Sequence, residues 1–126
     1  MIQTVRLFLL VEALAFLMAA LTHFGVLSSG YAHHQASIAE SVIACVLLMG
    51  AGVSFARPSL TRRAGLLAQA FALLGTLVGI LTIIVGIGPR TVPDIVYHVL
   101  MVIILAIGII VTLRERQVVA GVQNLD

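Results

Sequence analysis

The chain has 126 residues, 61% of them hydrophobic and 10% charged, and its net charge of +2 comes from seven arginines and no lysine. A mean hydropathy of +1.19 excludes a water-soluble domain, which needs far more polar surface. The arginines stand at the ends of apolar segments and form no patch, which excludes nucleic acid as a partner, and a single cysteine excludes an intrachain disulfide.

Taken in order, four apolar segments predict one all-α domain, a four-transmembrane-helix bundle whose first partner is the lipid bilayer. The first span is expected over residues 5–27, broken only by Glu12, Thr22 and His23. It is too long for the apolar region of a signal peptide and three more spans follow, so it reads as retained. A short turn, SSGYAHHQ, leads to the second span at 36–56, where Cys45 is expected as a small core residue. Arg57 to Arg63, RPSLTRR, cannot stay in lipid.

The third span, 64–87, organises the rest. Its 24 residues rise about 36 Å against roughly 30 Å of hydrocarbon, with Gln69 its one strongly polar side chain. Ala68, Ala72, Gly75, Gly79, Thr82 and Gly86 recur at alternating spacings of four and three. That small-residue face predicts close helix packing, either inside the bundle or against a second copy or another membrane subunit. After the turn from Pro89 to Pro93 a fourth span runs over 94–113, and residues 114–126 form a polar tail.

Arg6, Arg57, Arg62, Arg63, Arg114 and Arg116 lie on one side and Arg90 alone on the other. The positive-inside rule therefore predicts an inner (plasma) membrane protein of bacterial type with both termini cytoplasmic. A shift of 57 residues also lays the first half on the second: Arg6 falls on Arg63, Glu12 on Gln69 and Arg57 on Arg114. Two tandem hairpins related by a parallel pseudo-twofold axis would produce this.

Ionisable groups within spans are costly and should face inward. On the fourth span Asp94, His98, Met101, Leu105, Gly108 and Thr112 follow one helical face. Glu40, Ala44, Leu47, Ala51 and Ser54 do so on the second, and Glu12 and His23 on the first. Depth separates two layers. Glu12 and Gln69 are expected to pair near the cytoplasmic side, as a register-fixing hydrogen bond or as part of a proton or transport path.

Near the outer side gather His23, Tyr31, His33, His34, Glu40, Arg90, Asp94, Tyr97 and His98, including every histidine of the chain. Imidazole and carboxylate suit Zn, Fe or Cu, so His98, His23, His33, His34, Glu40 and Asp94 are the expected metal ligands. His98 and His23 alternatively suit the two faces of haem b. Plainer roles stand beside these. Ser37-x-x-Glu40 and Thr91-x-x-Asp94 both match the capping box, His33 and His34 read as solvated loop residues, Tyr31 and Tyr97 as interfacial aromatics, and His98 as the partner of Glu40 or a carbonyl. The motifs of zincins, serine hydrolases, nucleotide-binding folds and covalent haem are all missing, so the chain reads as a binding protein, an accessory subunit or a small transporter.

Overall fold

The computed structural model describes residues 1–115; Arg116 and the rest of the expected tail lie outside the described residues. These fold into α1 (Ile2–His23), α2 (His34–Ala56), α3 (Thr61–Val85) and α4 (Val92–Arg114), with single 3-10 turns at Ser29–Tyr31 and Pro58–Leu60. All four helices are long and apolar enough to cross a membrane. The three prolines fall at helix starts or in links, where a missing N–H costs nothing.

Helix ends depart from expectation where local chemistry intervenes. α1 stops at His23, because the chain turns through Gly25 at φ +78°. α2 starts at His34, because the His33 ring accepts from the Ala36 N–H at 3.3 Å and caps the helix. His33 and His34 are therefore cap and first turn rather than free loop. The expected Ser37–Glu40 capping box does not form: the Ser37 hydroxyl donates to the His34 carbonyl at 2.7 Å, and Glu40 lies well inside the helix. The Thr91–Asp94 box does form.

Helices adjacent in sequence pack together, and α1 also meets α3 and α4 to an equal, smaller extent, so α2 and α4 occupy opposite corners. The buried face of α4 is Asp94, His98, Met101, Leu105, Gly108 and Thr112, the rhythm read from the sequence. Phe16, Leu47, Ala72, Met101 and Leu105 make an apolar core between the polar layers, and Val5 and Leu9 extend it beyond Glu12 toward the start of α1. The outward faces are equally apolar: Leu67, Ile84 and Val92 are 74%, 69% and 73% exposed. A surface of that kind suits lipid as solvent, where close packing and internal hydrogen bonds hold helices together.

The small-residue face of α3 is used inside the bundle. Gly50 of α2 lies against Ala68, Gly75 against Ile43, and Gly79 against the His98 ring, each too close to admit a β-carbon without movement. Ala68 and Ala72 are buried. Gly86 departs from the expected packing role. It ends α3 in the left-handed conformation at φ +87°, which favours glycine, and the Arg90 side chain folds over it. Cys45 is exposed on the outer face of α2, not in the core. The 57-residue repeat is imperfect in the interior: of the buried residues of α1 it carries only Glu12 onto a buried residue of α3.

Candidate functional site

The end of the bundle that carries His23 and His98 is assembled by the α1–α2 link. The His33 N–H donates to the His23 carbonyl at 2.7 Å, which holds the start of α2 beside the end of α1. His23 then faces Glu40 from one side and Asp94 of α4 from the other. Its Nδ1 lies 2.7 Å from Glu40 Oε2 and its Nε2 3.0 Å from Asp94 Oδ1, with all three residues buried. One imidazole thus bridges three helices. The second Asp94 oxygen accepts from the Thr91 N–H at 3.0 Å and from the Thr91 hydroxyl, so Asp94 is helix cap and cluster member at once.

The cluster's charge is unbalanced. Two carboxylates against one imidazolium leave one negative charge in excess unless the cluster carries another proton. Arg90 is the nearest arginine in sequence, and its guanidinium donates instead to the carbonyls of Ile83 and Ile84 at the end of α3.

His98 is separate from this relay. It is 9% exposed, and its Nδ1 lies 2.8 Å from the Asp94 backbone carbonyl. A carbonyl only accepts, so Nδ1 carries the proton and, in the neutral ring, Nε2 is left as an acceptor. Among the described residues Nε2 has no partner. The expected partner Glu40 pairs with His23 instead. The ring borders a cavity of about 140 Å³ between α2, α3 and α4, whose polar edge is Glu40, Thr76, Tyr97 and His33 and whose walls include Ile43, Val78 and Pro89.

Tyr97 belongs to this site and not to an interfacial belt. Its ring meets Phe16 and His98 edge-on, at centroid distances of 6.1 and 5.4 Å, and its buried hydroxyl has no hydrogen-bond partner. On its other side lies a groove of about 500 Å³ between α1 and α4, where His23 and Asp94 surface. Tyr31 is exposed. Sequence spacing alone places Tyr97 one position from the inward face, and only the packing of Phe16 draws it in.

Of the expected metal ligands, the fold joins His23, Glu40 and Asp94 by hydrogen bonds and sets His98 and His33 on the cavity. His34 stands apart, edge-on to Phe24. Among the described residues no three His, Cys, Asp or Glu side chains are gathered as a ligand set for a metal ion.

The deeper layer is closed. Gln69 Nε2 donates to both oxygens of Glu12 at 3.1 Å, and the Thr112 hydroxyl lies 2.8 Å from both Gln69 Oε1 and the Gly108 carbonyl. Gly108 makes room, since a β-carbon there would overlap both polar side chains. At the opposite end of the bundle from the cavity, Arg6 turns inward, donates from Nε to Ser54 Oγ at 3.0 Å, and stacks over Phe55 at 4.4 Å. No family model matches this chain, and comparison with curated proteins and with solved structures finds no match either.

Proposed function

We propose that this chain is a membrane-embedded binding protein, and that its site is the outer cavity bordered by His98, Glu40 and Tyr97. The observation that carries the reading is His98, nine-tenths buried, with Nδ1 committed to a carbonyl and Nε2 unpartnered beside Gly79, which also borders the cavity. A ligand that donates to Nε2 adds a hydrogen bond worth about 0.5–1.5 kcal/mol net. Mostly apolar walls with a few convergent polar groups are the usual make-up of a small-molecule site. The volume matches a single ring, since a cavity of about 150 Å³ holds benzene. With both termini cytoplasmic, as the arginine distribution favours, the cavity lies beneath the outer face of the inner membrane.

The test uses p-cresol, a ring with one hydroxyl, and toluene, the same ring without it, on protein in phosphatidylcholine nanodiscs. p-Cresol is expected to bind more tightly than toluene, to shift the His98 Nε2 resonance, and to bind about tenfold more weakly to His98→Leu. Equal binding of both rings, with an unmoved His98 resonance, overturns the reading.

A second reading is a transition-metal ion, Zn, Fe or Cu, at the same cavity. It is favoured by the His98 hydrogen bond, because metal-ligating histidines commonly donate their other ring nitrogen to a carbonyl. Glu40 and His33 border the same space but would have to draw together to complete a ligand set. Zinc titration followed by metal analysis decides it. Haem b has less support, since both nitrogens of His23 are engaged. An accessory role through α3 loses its surface to internal packing, and transport must cross the apolar core between the two polar layers.

A further inference from the structure

We propose that the molecule taken by this cavity is a lipid with a neutral hydroxylated ring as its headgroup, its aliphatic chain lying in the groove between α2 and α3. The inference rests on the outer cavity being a binding site and adds the class of molecule.

The groove starts where the cavity ends. Ala39, Ile43, Gly75 and Val78 border both the cavity and an apolar depression of about 360 Å³ on the lipid face of α2 and α3. Phe71 borders both that depression and a second, of about 530 Å³, which reaches Leu60 and Arg63 at the start of α3. Its cause is local. Gly50, Ala68 and Gly75 let the two helices approach closely, so the floor is low, while large flanking side chains such as Val42, Phe71 and Leu74 stand exposed as walls. From Gly79 to Arg63 the track follows 16 residues of α3, about 24 Å at 1.5 Å per residue, close to the roughly 30 Å hydrocarbon depth. Such a track fits one extended chain hung from a group at the outer end.

The headgroup is selected by chemistry. His98 Nε2 can accept and has no donor among the described residues, and a ring hydroxyl supplies one. Phosphate or carboxylate heads meet the acidic Glu40 side chain, whose partner His23 is already shared with Asp94. Bulky cationic heads exceed the 140 Å³ available. A phenol or quinol head satisfies all three constraints.

The experiment compares 4-dodecylphenol with p-cresol on the wild-type protein and on Val42→Trp and Leu74→Trp, in phosphatidylcholine nanodiscs. Both substitutions are at exposed positions that border the groove and not the cavity. Each is expected to weaken 4-dodecylphenol at least about fivefold while p-cresol stays within twofold. A photoreactive diazirine at the chain end should label residues near Met49, Val53 or Leu67. If p-cresol fails to bind, the site reading itself falls. If p-cresol binds but neither variant affects the tailed phenol, or if diazirine-labelled phosphatidylcholine marks the groove equally well, the lipid inference alone is overturned.

Discussion

The two polar layers of this bundle are built from the same kinds of residue and end in opposite states. Around Glu12 the amide of Gln69 covers both carboxylate oxygens and Thr112 covers the amide carbonyl. That network is satisfied within itself, and neither Glu12 nor Gln69 lines any of the cavities described above. Around His23 the hydrogen bonds are as short, yet the neighbouring groups are left over: His98 Nε2 and the Tyr97 hydroxyl lack partners among the described residues. In a low-dielectric interior a closed network specifies helix register, whereas an open one marks a place where something else is accommodated. The difference separates scaffold from site without reference to residue type.

His23→Leu tests that contrast most severely. It strands Glu40 and Asp94 without the imidazole between them, and removing one partner of a buried set typically costs about 3–5 kcal/mol. Unfolding in mixed detergent micelles should report a loss of that order; a loss below about 1 kcal/mol would mean that the cluster is peripheral to the fold. A smaller effect is expected in the inner layer. A double-mutant cycle of Glu12→Leu and Gln69→Leu should return a coupling of about 1–2 kcal/mol, with p-cresol affinity held within twofold in every variant. If affinity falls instead, the layers are coupled and the division between scaffold and site breaks down. Cys45→Ala, on the lipid face, should change stability by less than about 0.5 kcal/mol, and a lipid-soluble maleimide should modify Cys45 in the folded protein. Protection from that reagent would place another helix or chain against α2.

Much of the inward face was legible because helical periodicity and the cost of polar groups in lipid act along one helix at a time. Asp94, His98, Met101, Leu105, Gly108 and Thr112 are buried as their spacing predicts, and Glu12 meets Gln69. The misplaced residues share a different cause. Cys45 and Gly86 are small and unobtrusive in sequence, and what decides them is which side of α2 faces its neighbours and where α3 ends. The Ser37–Glu40 capping pattern is real as a spacing but lost to His33, which caps three residues before the expected start of the span.

Length, apolar composition and the depth of its few polar groups were enough to determine that this polypeptide is a four-helix membrane bundle with two polar layers at different depths. These properties depend on residues near one another in the chain and on a solvent that penalises every exposed hydrogen-bonding group. Only the tertiary structure decided that His23 rather than His98 bridges the carboxylates, that Tyr97 turns inward, and that a groove between α2 and α3 runs into the outer cavity. Each of those outcomes depends on the rotation of one helix against another, set by contacts such as Gly50 on Ala68 and His98 on Gly79 between residues far apart in sequence.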